Sequence, residues 1–306
     1  LSKNRISIIS KWLQLIRWPN LLMVALAQVL FKYAFLPAFE VSSKLNTLDF
    51  ILLCASIILV TAAGNIINDI YDINTDFVNG RSRPLAQQHI CISKAYTLYF
   101  LMNISAVALI SFLSSKFKHI SLIIIVTTVI LLLFFYAKRL KSIVILGNVL
   151  ISVLVSLSFL LVIYVEIFIL SEHKISIEIQ NWIIGYAVFA FWANLNREWI
   201  KDVQDIKGDY AQNVSTLPIL IGKARMNKLI FMSTLLLIFS LIAGVKVYFQ
   251  PDLIFILYLT FGTCVPLVYV LFHMHRKELN TNYKMLSHIY KLVMLIGVMS
   301  LILFKI

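Results

Sequence analysis

Seven of the 14 acidic residues fall in two short stretches: Asp69, Asp72 and Asp76, then Glu198, Asp202, Asp205 and Asp209. Asn65, Asp69, Asp72 and Asp76 follow the spacing i, i+4, i+7, i+11, and the four acids of the second stretch repeat it. At roughly 100° per residue each set falls within about a 60° arc of one helix face. Each set is therefore a stripe of oxygen ligands. Like charges at i,i+4 repel by about 0.2–0.5 kcal/mol per exposed pair, and a cation between them removes that cost. Mg²⁺ fits best, because it is usually held by one or two carboxylates together with substrate phosphates. No single loop offers the oxygens that Ca²⁺ takes. Either stripe alone reads equally well as a solvated helix end; two stripes of matched spacing do not.

Basic and polar residues beside the acids supply the other half of a diphosphate site. Arg81 and Arg83 follow the first stripe in the run Asn79-Gly80-Arg81-Ser82-Arg83-Pro84. Lys201 adjoins Asp202, Arg197 stands one turn earlier, and Tyr136-Ala137-Lys138-Arg139-Leu140-Lys141 ends another apolar run. Arg17 and Asn20 lie at the edge of the first apolar run. Arginine holds phosphate oxygens with a planar fork and lysine as a point charge. For Lys138 and Arg139 a plain membrane-stop role reads as well as a role in the site.

The elements that must position these groups are membrane helices. Of 306 residues, 60% are hydrophobic and only 13% charged, with a mean hydropathy of +0.90. A soluble domain carries roughly a quarter charged residues. Apolar runs near 20–38, 47–68, 95–115, 119–136, 143–167, 181–196, 229–247, 252–272 and 285–304 predict nine spans, of the length that crosses a bilayer as helix. Their continuity excludes a transmembrane barrel, whose strands alternate. With the N-terminus in the cytoplasm, 19 of the 27 Lys and Arg fall on the inner side and six outside. That bias orients the chain. Both acidic stripes then end an out-to-in helix, so they share the cytoplasmic side. The net charge of +13 belongs mainly to that face and suits anionic lipids and phosphorylated substrates; nucleic acid is not an expected partner. Cys54, Cys91 and Cys264 are isolated and give no disulfide framework. The first apolar run lacks a small-residue cleavage site and reads as a span. No linker divides the chain, which reads as one helical domain over residues 1–306.

The run Asn65-Ile-Ile-Asn68-Asp69-Ile-Tyr-Asp72-Ile-Asn-Thr-Asp76 resembles the NDxxDxxxD signature of the intramembrane UbiA-type prenyltransferases. Lys201-Asp202-Val-Gln-Asp205-Ile-Lys-Gly-Asp209 is similar to that family's second acidic motif. The resemblance implies an all-α membrane fold of about nine helices around a central cavity, and Mg²⁺-dependent transfer of a prenyl group from its diphosphate. It implies that Asn68, Asp69, Asp72 and Asp76 hold one Mg²⁺ and Asp202, Asp205 and Asp209 another. Arg81, Arg83, Tyr136, Lys141 and Lys201 would hold or enclose the diphosphate, with Asn20, Asn65 and Arg197 as further neighbours. Asp69, Asp72, Asp202, Asp205 and Lys201 are the residues expected to carry catalysis.

The second motif, followed by Ser215-Thr216-Leu217-Pro218 and Gly222-Lys223, is similar to the branch that makes archaeal-type ether lipids, in which geranylgeranylglyceryl phosphate receives a second geranylgeranyl group. Gly147-Asn148 fits that branch as well. Homogentisate prenyltransferases carry a related run, so an aromatic acceptor of quinone or haem side-chain biosynthesis is the alternative. After Arg83-Pro84-Leu85 the family often has a Pro-Ser-Gly turn; here Ala86-Gln87-Gln88-His89 stands in its place. A cation-coupled transporter is the rival of another class, although such sites lie near the midplane on broken helices. The expected partners are a prenyl diphosphate, a lipid-soluble acceptor and membrane lipids.

Overall fold

The computed structural model describes residues 8–41, 43–170, 176–244, 253–275 and 282–305. In hydrocarbon every backbone N–H must find an internal acceptor, and among the described residues every element is helical. In chain order they are α1 (Ile8–Leu15), α2 (Trp18–Leu30) with a π turn (Phe31–Phe35) and α3 (Leu36–Ala38), α4 (Thr47–Tyr71), α5 (Ile73–Val78), α6 (Ile92–Phe117) and α7 (Ser121–Lys138). There follow α8 (Leu146–Ile163) with a π turn (Tyr164–Ile169), α9 (Ile177–Ala211), α10 (Leu217–Ile221) and α11 (Lys223–Gly244). Last come α12 (Leu253–Leu259), which runs through a π turn (Thr260–Cys264) into α13 (Val265–His275), and α14 (Tyr283–Met299) with a 3₁₀ end (Ser300–Lys305).

Eight of these segments are long and apolar enough to cross a bilayer: Trp18–Ala38, Thr47–Tyr71, Ile92–Phe117, Ser121–Lys138, Leu146–Ile169, Lys223–Gly244, Leu253–Met274 and Tyr283–Phe304. With α9 they make nine long helices among the described residues, one for each predicted span. The protein is a multi-pass integral membrane protein. Residues 245–247 and 252 of the predicted spans lie outside the described residues.

Two predicted details change. The sixth span, expected over 181–196, is the first part of one 35-residue helix that carries the whole second acidic stretch. The first stripe is not one straight helix: α4 ends at Tyr71, and Asp72 at φ −93°, ψ 2° turns the chain into α5. Hydrogen bonds from Asp72 N to Asn68 O (2.9 Å) and from Asp76 N to Asp72 O (2.8 Å) carry the ladder through that bend.

The chain forms two compact units. The first comprises Leu1–Ala25, Asn46–Ser142 and Lys207–Val214. Its centre is α4, against which α6 and α7 pack. Leu15, Ile66, Ile67, Leu85, Ile90, Tyr99 and Ala137 form the buried cluster beneath the acidic end of α4. At the opposite end of α4, the buried Asp49 accepts from Lys116 Nζ at 2.8 and 2.6 Å. The turn after Pro84 is closed by His89 N donating to Pro84 O (2.8 Å), with Gln88 at φ +56°. That left-handed backbone favours glycine, which explains the Pro-Ser-Gly habit of the family; here Gln88 adopts it with a side chain.

The second unit comprises Leu26–Leu45, Ile143–Ile206 and Ser215–Ile306. Phe31, Phe35, Trp182, Phe255 and Leu301 share its buried aromatic cluster, where Phe304 meets Trp182 edge to face at 4.6 Å between ring centroids. Polar side chains join its helices: Trp192 Nε1 donates to Ser233 Oγ (2.8 Å), and Tyr290 Oη lies 2.6 Å from Thr234 Oγ1. Lys32, placed by the sequence inside the first span, is paired with Glu166 at 3.1 Å. Glu166 also accepts from Ser43 Oγ and from the backbone N–H groups of Lys44 and Leu45 (2.9 and 3.2 Å), while Lys32 Nζ donates to Leu45 O as well.

Candidate active site

The acidic end of α4 meets a ring of cations within the first unit. Asp69 and Asp76 are buried, at 1% and 5% exposure. Arg17 Nη2 lies 2.5 Å from Asp69 Oδ1, and Arg83 Nη1 stands 4.0 Å from Asp69 Oδ2. Asp69 Oδ2 is buried without a hydrogen bond. Asp76 faces Arg81 at 3.6 Å and Arg83 at 4.0 Å. Asp72 takes Lys141 Nζ on Oδ1 and Asn68 Nδ2 on Oδ2, the latter at 2.7 Å. Burial first, and then the charge of Asp72, push the Asp76 carboxyl up to about 6, against the pull of Arg81 and Arg83. The Arg83 guanidinium is drawn below its usual range, chiefly by burial and next by Arg17, while Asp69 and Asp76 support its charge.

The corner between α1 and α2 builds part of this ring. Arg17 sits there at φ +55°, a left-handed conformation uncommon outside glycine. Asn65, expected as a phosphate neighbour, gives its amide Nδ2 to Ile16 O (3.0 Å) and so ties α4 to the corner. Asn20 is half-buried in the first turn of α2, its N–H on Arg17 O at 2.8 Å. Tyr136 is half-buried in the last turn of α7.

The last turn of α9 belongs to the same unit, and here the two acidic motifs touch. Gly208 N donates to Asn79 Oδ1 at 2.8 Å. A Cβ on Gly208 would lie 2.3 Å from Asn79 Nδ2 and 2.7 Å from the Thr75 carbonyl oxygen, so only glycine permits the approach. Asp209, buried at 9%, is the next residue.

Within the second unit, α9 presents the rest of the motif. Asn148 Nδ2, in the first turn of α8, donates to Asp202 Oδ2 at 2.8 Å. One turn along, Asn194 Nδ2 donates to Ser152 Oγ (3.2 Å), which donates to Asn148 O (2.7 Å). The chain enters α8 through Ile145 at φ +69°, a costly conformation for a β-branched residue. Arg197 and Lys201, expected beside the diphosphate, both reach Glu198, at 3.2 and 2.7 Å. Asp205 is half-buried on the same helix.

Three contacts escaped the sequence: Arg17 on Asp69, Asn79 on Gly208 and Asn148 on Asp202. Arg17 and Asn148 stood beside recognised features, but nothing in their spacing named a partner. Among the described residues no three His, Cys, Asp or Glu form a ready-made metal cage.

A polytopic helical protein with two carboxylate stripes, arginines at the first and lysines at both is a membrane protein built to hold a phosphorylated ligand. The chain matches the UbiA prenyltransferase family over residues 21–295 and belongs to it. It is a membrane prenyltransferase. It is 29% identical over 246 residues to the digeranylgeranylglyceryl phosphate synthase of Saccharolobus solfataricus, covering 79% of this chain and 78% of that one. With the synthase of the same name from Methanococcus aeolicus it shares 31% over 219 residues, 70% of each chain. Among solved structures, a digeranylgeranylglyceryl phosphate synthase has a TM-score of 0.63 at 22% identity, covering 97% and 98% of the two chains. A UbiA homolog from Archaeoglobus fulgidus bound to GPP and Mg²⁺ has a TM-score of 0.61 at 16% identity, covering 96% and 99%. These two likenesses establish the fold.

Gly208→Ala tests the contact between the motifs. The backbone carbonyl of Thr75 cannot rotate away, so the tip of α9 must shift from α5. Displacement near 1 Å costs roughly 100-fold in rate, and kcat/KM for prenyl transfer is expected to fall by about that factor with helicity unchanged. Adding Asn79→Ala relieves both side-chain contacts, at 2.3 and 2.7 Å, but leaves the Thr75 carbonyl at 2.7 Å, so recovery is partial. Wild-type turnover in Gly208→Ala would show that the close approach does not matter.

Proposed function

We propose that this protein transfers a geranylgeranyl group from its diphosphate to geranylgeranylglyceryl phosphate, at the cytoplasmic face, with Mg²⁺. The contact of Gly208 with Asn79 carries the reading, because it joins the ends of the two acidic motifs. The acceptor is supported by the name shared by the relatives, and the side and the cytoplasmic N-terminus by the 19 to six distribution of basic residues.

The donor set fits the ion: Asn68, Asp69, Asp72 and Asp76 would hold one Mg²⁺, and Asp202, Asp205 and Asp209 the second. The buried Asp69 Oδ2, without a hydrogen bond, is a ligand atom with capacity to spare. Bound Mg²⁺ would neutralise charge on the departing diphosphate. Arg81, Arg83, Lys141 and Lys201 turn from carboxylates toward phosphate oxygens and stabilise the same charge as it grows. The bond between the allylic carbon and the bridging oxygen breaks with its electrons going to diphosphate. The acceptor hydroxyl oxygen then bonds to that carbon and gives up its proton to the released diphosphate anion. Asn148 holds the Asp202 carboxylate in one orientation throughout.

The test is an acceptor panel. Protein in detergent receives labelled geranylgeranyl diphosphate with geranylgeranylglyceryl phosphate, 4-hydroxybenzoate or homogentisate, with Mg²⁺ or with chelator. Label is expected in the ether lipid alone and only with Mg²⁺. Label in an aromatic alone replaces this acceptor by the quinone or haem class. Uptake of a solute into liposomes without diphosphate release would favour a transporter.

A further inference from the structure

We propose that α1 is an interfacial helix seated in the headgroup and acyl boundary of the bilayer, and that this seat sets the position of Arg17 and of the Arg81–Arg83 loop. The second half of the proposal rests on the prenyl-transfer reading; the first does not. α1 has two apolar edges. Leu15 is fully buried, and Trp12 and Ile16 pack with it on the cluster beneath α4. Ile9 and Leu13, about 40° apart on the helix, form the other edge and are 66% and 40% exposed, with Ile8 at the tip 69% exposed. Ser10, Lys11 and Gln14 fill the remaining, polar side.

The bilayer is the occupant of the second edge. The span Trp18–Ala38 begins three residues after Leu15, and three residues reach at most about 11 Å. The end of the helix is therefore tethered within that distance of the span. An apolar edge, a polar edge and a basic residue are what such a surface takes. The corner that α1 feeds is then bonded to the site three times. Gln14 Nε2 donates to Ser82 O (2.6 Å), in the middle of the arginine loop. Ile16 O accepts from Asn65 Nδ2 (3.0 Å), and Arg17 pairs with Asp69. A helix held by lipid on one edge and by these bonds at its end fixes where the arginines stand.

The probe is NBD on Leu13→Cys in a Cys91→Ser background, since Cys54 and Cys264 are buried. The full chain is placed in nanodiscs of phosphatidylcholine with phosphatidylglycerol. Doxyl-labelled lipid is expected to quench the probe and aqueous iodide to leave it bright. Quenching by iodide, or by neither agent as under a protein cover, overturns the interfacial seat whether or not the chain transfers prenyl groups. The coupling is read separately with Gln14→Ala and with Ile9→Ser/Leu13→Ser. Each is expected to raise KM for the prenyl diphosphate about fivefold, the worth of one hydrogen bond, with kcat held. An unchanged KM in both removes the coupling and leaves the seat to the quenching result.

Discussion

Asp69→Ala protein, purified in detergent and supplied with Mg²⁺ and labelled geranylgeranyl diphosphate, is expected to transfer label at least roughly 1,000-fold more slowly than wild type. Asp69 is the most buried acid of its stripe, at 1% exposure, and takes Arg17 on one oxygen and faces Arg83 with the other. On the proposed reading its loss removes a metal ligand, and it leaves Arg17 and Arg83 facing each other across a buried gap. Asp202→Ala is expected to match it, since that carboxylate is oriented by Asn148 and belongs to the proposed second ligand set. Asp69→Asn keeps the shape and loses the charge, so it should stay inactive while melting near wild type. Normal turnover in Asp69→Ala or Asp202→Ala ends the metal assignment. A collapse of Asp69→Ala with full activity in Asp69→Asn would make the residue a structural anchor.

The second large effect is on stability. Glu166 and Lys32 are charged groups within membrane spans, and their side chains are 1% and 3% exposed. Four donors meet the carboxylate. Removing one partner of a buried pair strands the other and costs about 3–5 kcal/mol. Glu166→Ala should therefore lower the melting temperature in lipid nanodiscs sharply. Lys32→Met with Glu166→Leu removes both charges and should recover much of the loss. Full recovery is not expected, since the N–H groups of Lys44 and Leu45 lose their acceptor, at about 1–3 kcal/mol for a buried group. The idea fails if the double variant melts no higher than Glu166→Ala.

Much of the scaffold is legible in the sequence because lipid leaves few choices: a long apolar run must be helix, and the nine expected spans each meet one. The spacing of Asp69, Asp72 and Asp76 marks an acidic stripe for the same reason, since helix periodicity is local. What stayed hidden depends on pairs far apart in the chain. Arg17 and Asp69 are 52 residues apart, Asn148 and Asp202 54, and Asn79 and Gly208 129. No periodicity encodes those distances. Lys32 shows the same limit. Hydropathy marked it as a charge in a span, but its partner Glu166 lies 134 residues away. The bend at Asp72 was missed for another reason: the hydrogen-bond ladder runs on through it, and the sequence there contains neither proline nor glycine.

The length of α9 has a consequence for how products part. A helix of 35 residues is about 52 Å long, whereas hydrocarbon is about 30 Å thick. Counting about twenty residues from Ile177 reaches Asn196, and Arg197, Lys201, Asp202, Asp205 and Asp209 follow on the last two fifths of the helix. One continuous helix therefore carries both the apolar stretch and the acidic motif. On the proposed reading, a water-soluble leaving group released beside these residues departs straight into the aqueous phase. The lengthened hydrocarbon product never has to quit the oil.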